Sequence, residues 1–463
     1  MVSKGFFCSL FALAVFCIIS WMIGGCAQVG VPTGGPRDSL PPVLVSAVPK
    51  LYQTNFTADK ITFTFNEYIN VEDIQKNLLV SPYPKINPQV NFKLKTVTVK
   101  LKDTLLANTT YAINFGNAIK DNNEGNPYKN FTYVFSTGST VDSLTFSGQI
   151  ILAENGKKDS TMVALLYRKA DDTTVQHRKP DYIARCDSAG RFTFTNLSQG
   201  TYKVYGLKDN DGGKTYNSKT ETFAFLDQEI AVTDSVSPVI LYAYMEEKDN
   251  RKKGAITKSL PEKKLRYATS VSASGQGLLD SLVITFNRPI KTFDPQKIIL
   301  TDSNLNKIEG STISLDSTKK IFSIKTQWAE DLGYRLILDK AAVTDTLGDQ
   351  LTKSDTIKFK SKKIADYGSI TIRFANIDVK KHPVLQFVKG EEVFKSIPVT
   401  GSTWSDKMFE PGEYELRILF DDNNNGKWDP GNYKLKLQPE QAITIDRKLN
   451  IRANWDNERD VRL

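Results

Sequence analysis

The feature that constrains the fold of this chain most is an internal duplication. Segments 59–79 and 280–300 are identical at nine of 21 positions when they are aligned at an offset of 221 residues. Segments 197–209 and 409–421 match at an offset of 212, and each contains a Gly-x-Tyr motif. Self-similarity at a long, nearly constant offset indicates that a whole block was duplicated. We therefore expect two copies of a unit A and two of a unit B, in the order A-B-A-B.

The apolar residues of both units follow the period of β-strands. Residues 61–65, ITFTF, alternate apolar and polar side chains, and so do residues 97–101 and 370–374. This alternation, with β-branched and aromatic residues, is typical of half-buried strands, and turn residues at roughly ten-residue spacing favour antiparallel sandwiches. The best candidates for helical turns lie near 71–77 and 295–298. The sequence thus predicts an all-β chain of four tandem antiparallel β-sandwiches.

The N-terminal residues have the composition of an export signal. Lys4 precedes an apolar run from Phe6 to Ile23, and a Gly/Pro-rich segment follows it. A basic start, an apolar stretch and small residues before a cleavage point indicate secretion, so residues 1–25 are predicted to be a signal peptide. An uncleaved anchor is the alternative, because about 18 apolar residues can just span a bilayer. No cluster of basic residues follows the run to support that alternative.

The end of the apolar run, Ile23-Gly24-Gly25-Cys26, resembles a bacterial lipoprotein box. The resemblance implies cleavage before Cys26, diacylglycerol on its thiol and attachment to a membrane, with residues 26–42 as a tether. Several acyl chains give stable anchoring where a single chain binds only marginally. Of the four cysteines, Cys186 would then be the one left with a free thiol. We expect it to be a small buried residue without a disulfide.

Unit A is predicted at residues 43–138 (A1) and 268–362 (A2). A1 contains the segments ITFTFNEYI, NTTYAINFGNAIKDNNEGN and FTYVFSTG, and A2 keeps VITFNRPI and GYRLILDKAAVTDTLGDQ. These segments resemble the bacterial Ig-like domain first described in S-layer proteins. The resemblance implies a structural or adhesive sandwich that contributes no catalytic residues.

Unit B is predicted at residues 144–245 (B1) and 367–455 (B2), with a tail at 456–463. It resembles the prealbumin-like, carboxypeptidase-regulatory-like sandwiches that serve as accessory domains in bacterial surface proteins. The Gly-x-Tyr motif before an alternating strand, at Gly200 and Gly412, carries this resemblance. The resemblance implies a further non-catalytic sandwich in each block.

A charged linker is predicted at 246–267, between the two A-B blocks. Residues 246–266 contain eight basic and four acidic side chains and no aromatic residue. Such a composition favours an extended, solvated hinge over a nucleic-acid-binding patch. The two blocks are therefore expected to be joined flexibly.

One segment has the ligand spacing of a calcium loop. In 421–429, DDNNNGKWD, oxygen-bearing side chains occupy positions 1, 3, 5 and 9 of an EF-hand-like loop, with glycine at position 6. Alternate oxygen ligands around a sharp turn suit Ca²⁺, and the ligands would be Asp421, Asn423, Asn425 and Asp429. Position 12 is Asn432 instead of a bidentate glutamate. A long hairpin connection is the alternative. The twin loop at 209–213 is shorter.

One tripeptide pattern recurs more often than the composition predicts. Asp, then Ser or Thr, then an aliphatic residue, Ala, Met or Thr occurs eleven times, where roughly two occurrences are expected. The pattern resembles the O-glycosylation sequon of exported Bacteroidota proteins. Candidate acceptors are Ser39, Thr104, Ser143, Ser281, Thr346 and Thr356. Turn chemistry is an equal alternative, because Asp before Ser or Thr commonly starts a strand.

No residue pattern in the sequence indicates catalysis. The common hydrolase, metalloprotease and nucleotide-binding motifs are absent, and two histidines are too few for a His-rich metal centre. The sequence predicts a non-enzymatic, lipid-anchored cell-envelope protein whose Ig-like domains act as a structural scaffold or interaction module. The alternative is an adhesin-like surface lipoprotein that binds glycan or peptide, with Trp404 and Trp428 stacking on the ligand. The partner is an unidentified envelope protein or glycan, not nucleic acid.

The residues after Cys26 indicate which side of the membrane the protein faces. Residues 27–30 contain no acidic side chain, and the first acid is Asp38. Lipoproteins that reach the surface in Bacteroidota resemble one another in carrying several acids directly after the lipidated cysteine. This chain departs from that pattern. We therefore expect an outer-membrane lipoprotein that faces the periplasm, with the cell surface as the alternative.

Overall fold

The computed structural model describes residues 37–247 and 264–462. The predicted signal peptide, Cys26 and residues 248–263 of the linker lie outside the described residues. The chain groups into two compact bodies. The first contains the chain up to Leu79 with Ile86–Thr104 and Ile113–Val134, and the second contains Val80–Lys85, Leu105–Ala112 and the chain from Phe135 onwards. Within the described chain, no helix is both long and apolar enough to cross a bilayer.

The A1 region consists of nine short strands and one helical turn. The strands are β1 Leu44–Val48, β2 Lys60–Phe65, β3 Ile69–Val71, β4 Leu79–Ser81, β5 Gln89–Lys93, β6 Thr96–Lys100, β7 Thr110–Asn114, β8 Ile119–Asp121 and β9 Thr132–Ser136. Sheet order is β1-β2-β6-β5 in one sheet, β3-β8 in a second and β4-β7-β9 in a third. The turn α1, Ile74–Asn77, lies where the sequence predicts one.

The core of the first body is built from aromatic side chains. In β2 every second side chain is buried, as the alternating sequence predicts. The ring of Phe63 meets those of Phe115, Phe131 and Tyr133 edge-on, at centroid distances of 5.6, 5.1 and 5.2 Å. Edge-to-face contacts of this kind add to the free energy gained by burying the rings.

The B1 region, in the second body, has eight strands and one helical turn, α2, at Thr174–His177. The strands are β10 Leu144–Leu152, β11 Val163–Arg168, β12 Tyr182–Arg185, β13 Arg191–Leu197, β14 Gly200–Leu207, β15 Thr222–Phe225, β16 Ile230–Val232 and β17 Val239–Met245. They follow the order β12-β11-β14-β15-β17-β10-β13, and β16 pairs with β14. Cys186 lies in the hydrophobic core of this region, and burial raises the pKa of its thiol to about 12.

The A2 region repeats the sheets of A1 strand for strand. Its strands are β18 Tyr267–Thr269, β19 Leu282–Phe286, β20 Ile290–Phe293, β21 Ile298–Asp302, β22 Thr312–Leu315, β23 Ile321–Lys325, β24 Gly333–Leu338, β25 Val343–Asp345 and β26 Asp355–Lys360. They form the sheets β18-β19-β23-β22, β20-β25 and β21-β24-β26. A 3₁₀ turn at Pro295–Lys297 takes the place of α1. The duplication seen in the sequence is therefore also a duplication of topology.

The B2 region has seven strands in two sheets. They are β27 Gly368–Ala375, β28 Pro383–Lys389, β29 Glu392–Pro398, β30 Thr403–Phe409, β31 Gly412–Phe420, β32 Gln441–Ile451 and β33 Asp456–Arg462. The sheets are β30-β27-β33 and β29-β28-β31-β32. The predicted tail at 456–463 is corrected here, because β33 pairs with β27 along its whole length. The sequence did not reveal this strand because Val461 is its one fully buried side chain.

The prediction of an all-β chain made of antiparallel sheets is confirmed, with one departure that occurs in both B regions. The last strand of each region runs parallel to the first, as β17 to β10 and β33 to β27. Separate hydrophobic cores lie within B1, A2 and B2. The count of four sandwiches remains a prediction.

Candidate metal centre and the contact between B1 and B2

An acidic loop follows the Gly-x-Tyr strand in both B regions. In B1 the loop runs from residue 208 to 221, between β14 and β15. In B2 it runs from residue 421 to 440, between β31 and β32. We call these segments the B1 loop and the B2 loop. Asp209 and Asp421, at the start of each, are equivalent positions of the duplicated unit.

Asp421 organises the turn of the B2 loop. Asp421 is 1% exposed. Oδ1 accepts a hydrogen bond from the backbone N–H of Asn425 at 3.1 Å, and Oδ2 accepts one from Gly426 at 2.6 Å. Gly426 has a φ of +75°, a conformation that favours glycine. The buried carboxylate therefore accepts from two backbone donors of the turn, and the N–H of Asn425 also donates to Oδ1 of Asn423 at 3.0 Å.

The other predicted calcium ligands also lie together in the B2 loop. Oδ2 of Asp429 accepts hydrogen bonds from the side-chain amides of Asn423 at 2.5 Å and Asn425 at 2.6 Å. The four residues thus bond to one another and to the loop backbone. Such bonding is what the hairpin alternative requires, and calcium binding at these residues remains a prediction.

Glu440 is a residue of the B2 loop whose role in holding the loop the sequence did not reveal. Its carboxylate is buried and accepts hydrogen bonds from the backbone N–H of Asp422 at 3.0 Å and of Asp429 at 2.9 Å. Burial raises the pKa of Glu440, and the nearby charges of Asp421 and Asp429 raise it further. Because Glu440 closes the loop from its far end, 19 positions after Asp421, no short spacing pattern in the sequence could indicate it.

A second acidic cluster lies in the B1 loop. Asp209, Asp211 and Glu221 each place a carboxylate oxygen within 4.8 Å of those of the other two. Among residues 37–247 and 264–462, this is the one group of three or more acidic, histidine or cysteine side chains close enough to share a metal ion. Sequence reasoning noted the first two of these residues and missed Glu221, which is ten positions further along the chain than Asp211.

The B2 loop also joins B2 to B1 through Tyr433, which is 3% exposed. Its ring lies against Tyr205, Tyr216, Phe223 and Phe225 of B1, at centroid distances of 5.9, 6.3, 5.1 and 5.2 Å. Burial raises the pKa of Tyr433 above its ordinary value. The tyrosine therefore occupies an aromatic socket in the other B region.

Polar contacts fix the orientation of the Tyr433 ring. Its hydroxyl donates to the backbone carbonyl of Asp172 at 2.7 Å and lies 3.1 Å from the hydroxyl of Tyr205. Nζ of Lys436 lies 4.1 Å from the centre of the Tyr433 ring and pairs with the carboxylate of Asp172 at 3.0 Å. A cation over an aromatic face is attracted by the ring quadrupole. The ring and the hydroxyl of Tyr433 and the ammonium of Lys436 thus all contact B1.

Further contacts between B2 and B1 involve the B2 backbone, both within the loop and beyond its end. The N–H of Ala442 donates to the carbonyl of Ala153 at 2.7 Å, and Oγ1 of Thr444 donates to the carbonyl of Asn155, also at 2.7 Å. Gly431 lies so close to Tyr244 that an added Cβ would be 2.7 Å from the ring. The expectation that the two blocks move on a flexible hinge is therefore wrong for B1 and B2, which are packed together.

The two tryptophans considered as ligand-stacking residues pack on their own region instead. Nε1 of Trp428 donates to the carbonyl of Glu440 at 2.6 Å, and its ring lies against a small cluster that includes Leu419. Trp404 packs on the B2 core, with ring centroids 5.6 Å from Phe387. Both rings are only partly accessible.

The candidate glycosylation acceptors are accessible in the structure. Ser281 is half-buried, and the other five acceptors are exposed: Ser39, Thr104, Ser143, Thr346 and Thr356. The turn alternative also has support, since Oδ1 of the buried Asp345 accepts from the N–H groups of Leu347 and Asp349, both at 2.9 Å. Glycosylation at these positions remains a prediction.

The region that contains A1 matches a known domain family. The match covers residues 38–137 and is to the family described as bacterial Ig-like domain. Residues 38–137 form a bacterial Ig-like domain. The sheets of this Ig-like domain recur in A2. No curated protein matches the chain significantly, and the Ig-like match indicates no enzyme family.

Several solved structures are similar to parts of the chain. The N-terminal part of the bacterial S-layer protein SbsC is 20% identical, with coverage of 36% of this chain and 40% of that chain and a TM-score of 0.17. A segment of Escherichia coli alpha-2-macroglobulin is 12% identical, with coverages of 42% and 92% and a TM-score of 0.20. The Bacillus cereus major pilin subunit BcpA is 10% identical, with coverages of 69% and 99% and a TM-score of 0.16. Scores this low do not establish a common arrangement of the whole chain.

Proposed function

We propose that the chain is a non-enzymatic, lipid-anchored scaffold of the cell envelope. The observation that carries the proposal is the buried Tyr433, which packs B2 against B1. A scaffold needs fixed distances between its parts, and a packed aromatic contact provides them because protein interiors resist deformation. The bacterial Ig-like domain supports the same function, since it supplies a sandwich without catalytic residues.

Substitution of Cys26 tests the lipid anchor in this proposal. Cys26→Ala should leave the protein unacylated, so that it is lost from the membrane fraction after a carbonate wash. Cys186→Ala is the matched control, because it also removes a thiol but one in the core of B1, and this variant should still sediment with membranes. Retention of Cys26→Ala in the washed membranes would contradict the anchor.

We further propose that the protein faces the periplasm from the outer membrane. The support is the sequence after Cys26, which lacks the acidic residues of lipoproteins sent to the surface. Proteinase K added to intact cells should therefore leave the protein whole, and it should degrade the protein once the outer membrane is permeabilised. Rapid loss from intact cells would place it on the surface instead.

A further inference from the structure

We propose that Asp209, Asp211 and Glu221 of the B1 loop form a binding site for calcium. The proposal starts from the position of Glu221. This residue is 4% exposed, and its Oε1 atom accepts no hydrogen bond from any of the described residues. A buried carboxylate oxygen without a partner is costly and uncommon in folded proteins. One carboxylate oxygen of Glu221 lies within 4.8 Å of a carboxylate oxygen of each of the two aspartates.

Within the described part of the chain, no basic side chain neutralises Glu221. Its Oε2 accepts one long hydrogen bond, 3.3 Å, from the backbone N–H of Asn217. Burial raises the pKa of Glu221 and the negative charges of Asp211 and Asp209 raise it further, while backbone hydrogen bonds from Asn217 and Ser218 lower it. A cation placed between the three carboxylates would offset the repulsion between them.

The net charge of the cluster suits a divalent ion. Lys214 forms an ion pair with Asp209, whose side chain is 4% exposed. Among the ion pairs of the described residues, none includes Asp211 or Glu221, of which the first is exposed and the second buried. The exposed Asp211 gives the ion a route in from solvent. Its carboxylate is already oriented by the backbone N–H of Gly213 and the side chain of Asn217, both at 2.8 Å.

Distance and ligand type point to calcium within the class of divalent ions. Ca²⁺ takes oxygen ligands at about 2.3–2.6 Å, so two ligands on opposite sides of one ion are about 5 Å apart. The three carboxylate oxygens lie within 4.8 Å of one another, which places them inside that span. Mg²⁺ requires about 2.0–2.1 Å and a near-octahedral arrangement, which three carboxylates beside a lysine suit less well.

An ion at this site would tie the two ends of the B1 loop together. Asp209 is the second residue after β14, and Glu221 is the last before β15. Between them lies Tyr216, whose ring stacks on Phe223 at a centroid distance of 4.0 Å and forms one wall of the Tyr433 socket. Calcium would therefore stabilise the part of B1 on which B2 rests.

The test is a thermal unfolding series on the full-length chain in detergent, with EDTA, CaCl₂ or MgCl₂. Millimolar Ca²⁺ should raise the wild-type melting temperature by about 5 °C, since a ligand of the native state stabilises it by mass action. Mg²⁺ should raise it less. No shift with Ca²⁺, or an equal shift with both ions, would overturn the proposal.

Three variants test whether the shift of the melting temperature with calcium comes from the B1 loop. Glu221→Gln keeps the side-chain volume and should abolish the calcium shift, while in EDTA it should melt no lower than wild type because the unpaired charge is gone. Lys214→Met removes the competing ammonium and should lower the calcium concentration needed for half of the shift. Asp421→Asn, in the B2 loop, should keep the shift. Persistence of the shift in Glu221→Gln, or its loss in Asp421→Asn, would contradict a site in the B1 loop.

Discussion

At the scale of single residues, the two B loops differ in the hydrogen bonds that their buried carboxylates accept. Both oxygens of Asp421 accept backbone hydrogen bonds, and both oxygens of Glu440 do the same. Glu221, in the other loop, has one oxygen without a partner among the described residues. In the B2 loop, the buried carboxylates thus accept hydrogen bonds at both oxygens. In the B1 loop, one buried carboxylate oxygen has no such bond from the described residues.

The hydrogen bonds of the B2 loop give a prediction for Asp421. Asp421→Ala should destabilise B2 by about 1–3 kcal/mol, because the N–H of Gly426 loses its acceptor and that of Asn425 keeps only Oδ1 of Asn423. The loss, measured by urea unfolding, should be the same with EDTA and with calcium. Asp422→Ala, at the exposed neighbouring position, is the control and should have little effect. A loss seen only in the presence of calcium would instead support the calcium loop predicted from the spacing at 421–429.

At the scale of elements, the B2 loop is the part of the structure that sequence reasoning described least completely. The spacing of 421–429 predicted that its polar residues come together, and they do. Tyr433 comes from the same loop but contacts residues more than 200 positions earlier in the chain. A lone aromatic residue between polar neighbours carries no local signal of such a contact.

Removal of the Tyr433 side chain should weaken the contact between B1 and B2. Tyr433→Ala deletes a buried ring and should cost about 3–5 kcal/mol, measured as the loss of unfolding free energy of the second body. Tyr433→Phe keeps the ring and should cost about 1–3 kcal/mol, since the bond to the Asp172 carbonyl is lost. Equal stability of wild type and Tyr433→Ala would show that the ring contributes nothing to the contact.

Strand patterns account for the part of the fold that the sequence did predict. Alternation in β2 and in its repeat β19 is local, so it identifies the sheets of A1 and A2 without any knowledge of distant partners. β33 escaped prediction because its sequence, DNERDVR, has one apolar residue. Its position depends on pairing with β27, which begins 88 residues before it.

At the scale of the whole molecule, the packed B regions change what cleavage of the linker should do. Brief trypsin treatment should cut first within 246–266, where eight basic residues are concentrated. The two fragments should appear on a denaturing gel yet elute together in native size-exclusion chromatography, because B2 remains bound to B1. Gly431→Ala is the informative variant, since its Cβ would collide with Tyr244, and its fragments should separate. Separation of the wild-type fragments would contradict the contact.

The parallel pairing of first and last strands has a mechanical consequence. In B2, β27 and β33 are paired at seven positions, and in B1, β10 and β17 are paired at five. Tension applied to the two ends of either region pulls these neighbouring strands in opposite directions along their axes. The hydrogen bonds between them are then loaded in shear and must break together, whereas bonds at a hairpin end can open one after another. Each B region is thus expected to act as a clamp that transmits force along the chain without lengthening.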